Sequence, residues 1–188
     1  MRKEIPPNAN SLIMSMRSLG YSLNNAVADI IDNSISAKAT KIDIICSWDN
    51  QEPFVEIKDN GIGMTSEELE EAMRLGSKNP LHERDKEDLG RFGLGLKTAS
   101  FSQAKKLIVK TKQNENTYEA IWDLDLIEKE NKWFMDIEKL DGKNAFKEKG
   151  TTIRWEKIDT LEKKDKTNAQ EYFESVTNQL IKHISLVF

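Results

Sequence analysis

Asp59-Asn60-Gly61-Ile62-Gly63-Met64 and, further along, Gly90-Arg91-Phe92-Gly93-Leu94-Gly95-Leu96-Lys97 decide how this chain reads. They are two separate glycine turns, one led by a carboxylate and one trailed by a lysine. Glycine permits positive φ and lets the backbone approach a ligand closely. A carboxylate accepts a hydrogen bond from an amine, and a lysine following backbone N–H groups suits phosphate. One end for a base and one for a phosphate implies a nucleotide pocket.

Working outward, Asn10–Leu19 reads as a short helix and Ser22–Ser36 as a stronger one. Leu23, Ala26, Val27, Ile30, Ile31 and Ile35 fall on one face at helical spacing. Asn25, Asp29, Asp32, Asn33 and Ser36 occupy the other. Thr40–Trp48 and Phe54–Lys58 form a strand pair across the polar turn Asp49–Pro53, delivering Asp59 at a strand end. Thr65 followed by Glu68 is a capping box opening a helix to Arg74, ended by Gly76. Ser77–Leu89 is charged and patternless and reads as a mobile segment; Phe92–Phe101 is a helix launched from the second glycine turn. Leu107–Lys110, Tyr118–Leu124, Trp133–Ile137 and Thr151–Trp155 read as strands, Asp159–Thr167 as a charged connector, and Gln170–Leu186 as a closing helix. This order does not alternate as a doubly wound fold would. It predicts an α+β, two-layer sandwich: a mixed, mostly antiparallel sheet with helices on one face.

The 188 residues, 38% hydrophobic and 32% charged, suffice for one domain with a core. A net charge of −4 lacks the footprint of a nucleic-acid binder. Lys105, Lys106, Lys110 and Lys112 read as the outer side of an amphipathic strand. The one cysteine, Cys46, excludes an intrachain disulfide and fits a reducing compartment, and the distant His82 and His183 argue against structural zinc. Without a signal peptide or spanning segment, the expectation is a cytoplasmic protein that does not enter a membrane. The apolar ending Ile184–Phe188 leads to the expectation that residues 1–188 are one domain from the N-terminal part of a longer protein.

Each motif also has a plainer reading. Asp-Asn-Gly strings are ordinary turn chemistry, but here a strand leads in and a capped helix follows. Asp29 and Asn33, one turn apart, share a helix face, where a carboxylate and an amide oxygen can hold water and Mg²⁺. Aspartate and asparagine are poor mid-helix residues, so several on one arc suggest a purpose beyond solvation. Gly90–Lys97 fails the Walker register, because Leu96 separates Gly95 from Lys97, and fails GxGxxG. What remains is GxxGxGxK at a helix start, where N–H groups and the dipole favour an anion. Gly150-Thr151-Thr152 alone is a turn glycine before a strand.

These four pieces, in this order, resemble the Bergerat-fold (GHKL) ATPases: gyrase B subunits, heat-shock chaperones, histidine-kinase catalytic domains, MutL and MORC proteins. The likeness runs from about Asn10 to Trp155 and is nearest to bacterial MORC/MutL-like proteins. It implies that Asn33, within Ala28–Ala37, binds Mg²⁺, and that Asp59 reads adenine with Gly61 and Gly63 as hinge glycines and Met64 against the ring. It implies phosphate binding by Gly90, Gly93, Leu94, Gly95 and Lys97, a water-mediated adenine contact from Thr151, and a lid containing Ser77 and Lys78. Asp29 stands where much of the family has a glutamate general base, one methylene longer, so slow hydrolysis is expected. The expected cofactors are ATP and Mg²⁺. The expected partners are a second copy of the chain in an ATP-dependent dimer, and DNA or protein engaged through other domains. A nucleotide-gated binding module with negligible hydrolysis, and a domain passing phosphate to a histidine, remain alternatives.

Overall fold

The computed structural model describes residues 2–3, 7–18, 20–49, 52–75, 95–161 and 168–188. Its helices are α1 (Ala9–Arg17), α2 (Leu23–Ser36), α3 (Ser66–Met73), α4 (Gly95–Gln103), α5 (Leu124–Glu130) and α6 (Ala169–Val187). Its strands are β1 (Ile42–Asp49), β2 (Glu52–Asp59), β3 (Lys106–Gln113), β4 (Asn116–Asp123), β5 (Asp136–Leu140) and β6 (Gly150–Glu156).

The strands form one sheet in the order β1-β2-β6-β3-β4-β5. Every pair is antiparallel, where the sequence reading allowed a mixed sheet. The late strand β6 inserts at the centre, which sets Thr151 opposite both Asp59 of β2 and Thr111 of β3. Opposed residues share a face, so these three side chains form one row across three strands.

On β3 the buried Leu107, Val109 and Thr111 alternate with half-buried Lys106, Ile108, Lys110 and Lys112, as a pleated strand with one covered face requires. The covered face packs Val55, Ile57, Leu107, Val109, Ala120 and Trp155 against Ala26, Val27 and Ile30 of α2, Leu69 and Met73 of α3, and Phe101 of α4. The other face carries ion pairs: Arg154 with Glu56 and Glu156, Lys106 with Glu156, Lys110 with Glu119.

Local signals explain most element ends. Asn8, Ser22 and Thr65 accept from backbone N–H groups at the starts of α1, α2 and α3, and Thr65 with Glu68 completes the capping box. Several expectations need correction. Glu52 and Pro53 belong to β2 rather than the turn; β6 pairs only as far as Val55, so β2 at Pro53 has a single neighbour, where proline is tolerated. Leu124 opens a helix instead of ending a strand, because the Asp123 side chain caps the Asp125 N–H and Asn131, at φ 49°, ends the turn. Trp133 and Met135 pack on the core instead of pairing, Trp133 edge-on to Trp122 at 6.0 Å, which delays β5 to Asp136. On α2, Ile35 is exposed and Ser34 is buried in its place.

Candidate functional site

The base end is built on Asp59, 7% exposed. Its Oδ1 accepts from the Gly61 N–H at 2.8 Å and the Thr151 N–H at 3.2 Å. Its Oδ2 accepts from the Ser34 hydroxyl at 3.0 Å, a proton Ser34 shares with the Ile30 carbonyl at 3.2 Å. An ionised carboxylate offers about four acceptor sites. Three are taken by donors from α2, the turn after β2, and β6, so the group is fixed and retains capacity for an incoming amine.

Thr111 completes the row. Its hydroxyl donates to the Gly150 carbonyl at 3.2 Å and accepts from the Met64 N–H at 2.9 Å. The Thr111–Thr151 contact at 3.1 Å is then donated by Thr151, whose oxygen stays an acceptor. Gly61 and Gly63 are glycines for steric reasons. A Cβ on Gly61 would lie 2.8 Å from the Ala37 carbonyl oxygen; Gly63 has φ +71°, and its Cβ would lie 2.0 Å from the Lys112 carbonyl oxygen. Met64 is half-buried against the core, and Ile62 is exposed beside the turn.

The second end lies where α2 crosses α4. Asp29 is half-buried, and its Oδ2 would stand 3.8 Å from a Cβ on Gly95, the first described residue of α4. The same oxygen accepts the Tyr21 phenol at 2.6 Å. That bond, then burial, then the adjacent negative charge hold the Tyr21 pKa up at about 12. Burial first and the Asp29 charge second push the Asp32 carboxyl up. Asn33 is exposed one turn beyond Asp29. Its amide oxygen, together with phosphate oxygens and water, is the donor chemistry Mg²⁺ takes, so the residues present fit that ion.

Lys97 is 1% exposed. Its Nζ donates to the carbonyls of Ala72 at 2.9 Å and Arg74 at 2.7 Å, and it makes a further interaction as well. Trp122 Nε1 donates to Met73 O at 3.2 Å, so Lys97 and Trp122 together close the C-terminal end of α3. The structure thus brings Asp59, Gly61, Gly63, Met64 and Thr151 together, sets Asp29 beside Gly95, and seats Lys97 in a helix-capping role. Gly90, Gly93, Leu94, Ser77 and Lys78 lie outside the described residues.

A family model described as histidine kinase-, DNA gyrase B- and HSP90-like ATPase matches residues 21–166. The chain belongs to this ATPase family. Members bind and hydrolyse ATP, and the antiparallel sheet with its helical layer is their Bergerat fold. Over 90 residues the chain is 32% identical to "ATPase morc-1" of Caenorhabditis elegans, covering 48% of this chain and 10% of that protein. Over 92 residues it is 33% identical to "DNA mismatch repair protein MutL" of Rickettsia prowazekii, covering 48% of this chain and 15% of that one. The Rickettsia bellii MutL is 31% identical over 93 residues, covering 49% and 15%. The aligned part therefore spans well under a quarter of each relative's length. Among the described residues no helix is long and apolar enough to cross a membrane.

Sequence reasoning missed Ser34, Thr111, Tyr21 and Gln103, whose buried side-chain amide donates to the Tyr21 carbonyl at 2.9 Å. Ser34 had a signal, a hydroxyl one turn after Ile30 on the apolar stripe of α2. Thr111 is one more β-branched residue in a strand, and Tyr21 and Gln103 carry no local mark.

Proposed function

We propose that this domain binds ATP with its adenine amine on Asp59 and hydrolyses it slowly with Mg²⁺. The observation that carries the reading is that α2 serves both ends: Ser34 fixes Asp59, and Asp29, about 7.5 Å back along the axis, faces Gly95. Asn33 would hold the ion through its amide oxygen. Mg²⁺ held there would supply positive charge against the phosphate oxygens. Asp29 takes the proton of a water whose oxygen attacks the γ-phosphorus, and the bond to the β-phosphate oxygen breaks. Positioning and electrostatics carry most of this reaction class.

The described Gly95, and Gly90, Gly93 and Leu94 in the sequence motif, line the phosphate side in this reading. Lys97 becomes a phosphate ligand only when its ammonium leaves the Ala72 and Arg74 carbonyls. That exchange would accompany closure of a lid that includes Ser77 and Lys78, and an ATP-dependent pairing of two copies. Similarity to DNA mismatch repair proteins supports a DNA or protein partner engaged through other domains.

Phosphate release and calorimetry test the reading together. Asp29→Ala should keep ATP affinity and lose turnover, and chelation of Mg²⁺ should stop turnover in the wild type. Unchanged turnover in Asp29→Ala removes Asp29 from the chemistry. The nucleotide-gated module is a second reading, favoured by the short aspartate whose Oδ2 is already bonded to Tyr21. Single-turnover assays separate the two, since a gate alone leaves bound ATP intact.

A further inference from the structure

We propose that Tyr21 is a positioning residue for Asp29, itself set in place by Gln103; this rests on the hydrolytic reading above. Two hydrogen bonds and one close approach link these residues to α4. The Tyr21 phenol donates to Asp29 Oδ2 at 2.6 Å, and Asp29 lies against Gly95 at one end of α4. At the other end of α4, the buried Gln103 amide donates to the Tyr21 carbonyl at 2.9 Å and to the Ser102 hydroxyl at 2.9 Å. Helix α4 thus holds both the phosphate-side glycine and the backbone of the residue that orients the base.

The approach to α2 is fixed as well. Gly20 turns at φ +74°, and Ser22 caps the Asn25 N–H, so Tyr21 leaves the chain in one direction. Its ring packs against the core, and its hydroxyl reaches Asp29 two helical turns on.

The chemistry explains why an aspartate needs such a partner. A carboxylate on a shorter stem must hold one rotamer to keep an oxygen within reach of the attacking water. With Oδ2 committed to the phenol, Oδ1 is left as the proton acceptor. The phenol is a suitable holder because it stays protonated: its pKa of about 12 keeps the donor in place throughout neutral pH. In this role Tyr21 acts through Asp29, to which its phenol donates.

Four measurements on the purified protein test this. First, ¹³Cζ-tyrosine NMR should show Tyr21 still protonated at pH 11 in the wild type, and titrating clearly below the wild-type value in Asp29→Asn, where burial still holds it above 10.0. Second, Tyr21→Phe, which keeps the ring, should lower kcat about tenfold while KM and ATP affinity stay within about twofold. Third, Tyr21→Phe added to Asp29→Asn should produce no further loss, since the two act as one unit. Gln103→Leu should reproduce part of the kcat loss without changing affinity. A folded, ATP-binding Tyr21→Phe with wild-type kcat overturns the role of Tyr21 while leaving Asp29 as base. A wild type that binds ATP without hydrolysing it overturns the hydrolytic reading and this role with it. A wild-type Tyr21 that titrates near 10.0 removes the bond on which the role stands.

Discussion

Replacing Asp59 by asparagine separates the carboxylate's structural work from its work on a ligand. The amide oxygen can still take the Gly61 and Thr151 N–H groups that Oδ1 accepts at 2.8 and 3.2 Å. The amide nitrogen then faces the Ser34 hydroxyl, which can accept from it and give its own proton to the Ile30 carbonyl at 3.2 Å. Every buried group keeps a partner, so the fold should lose no more than about 1 kcal/mol. The ligand fares differently, since a purine amine would meet an N–H donor where it had met a charged acceptor. Hydrogen bonds to charged groups contribute about 1.5–3 kcal/mol. At about 1.4 kcal/mol per decade, ATP should bind about 10- to 150-fold more weakly. Asp59→Ala is the contrasting variant: it strands two buried N–H groups at about 1–3 kcal/mol each and should destabilise the domain severely. Calorimetric titration with ATP, beside thermal melts of both variants, reads the two effects separately. An Asp59→Asn protein that is folded and binds ATP as the wild type does would refute the reasoning.

Other consequences follow from particular contacts. Gly63→Ala must accept φ +71° and a Cβ aimed at the Lys112 carbonyl oxygen at 2.0 Å; it should lose at least about 2 kcal/mol in denaturant melts. Arg17 pairs with Asp159 and donates to the Phe101 and Ala104 carbonyls at the end of α4, so Arg17→Ala should lose about 2–3 kcal/mol. At about 2–4 °C per kcal/mol, calorimetry should show a melting drop near 4–12 °C. The Lys157 ammonium holds the Asp125 carboxyl below its ordinary 3.8, with Lys105 adding to the effect against burial. A carboxyl depressed in the folded state stabilises above its unfolded value and loses that contribution as pH falls through the folded one. Acid melts of Lys157→Met should therefore fall less steeply below about pH 4 than those of the wild type.

How much of this was legible in the residues depended on whether the signal was local. Asp59, Gly61 and Gly63 stood out because strand, turn and capped helix follow one another directly. The capping box of Thr65 and Glu68 and the alternation along β3 were likewise visible, since each depends on near neighbours. The centre of the sheet was not. That β6 lies between β2 and β3 is a long-range choice, and only it puts Thr151 against Asp59 and Thr111. Lys97 shows the limit from the other side. Its spacing after three glycines pointed to phosphate, yet the side chain satisfies the carbonyls of a helix more than twenty residues earlier. Tyr21 meets Asp29 and Gln103 through the crossing of α2 and α4, and no pattern around residue 21 encodes that crossing.

The most direct measurement compares ATP with inosine triphosphate by calorimetry on the wild-type domain. The two differ at the purine position where a carbonyl replaces the amine, which turns the donor facing Asp59 into an acceptor facing a carboxylate. The account predicts that ATP binds and that inosine triphosphate binds at least about tenfold more weakly. Equal affinity for the two, or no heat with either, would contradict it.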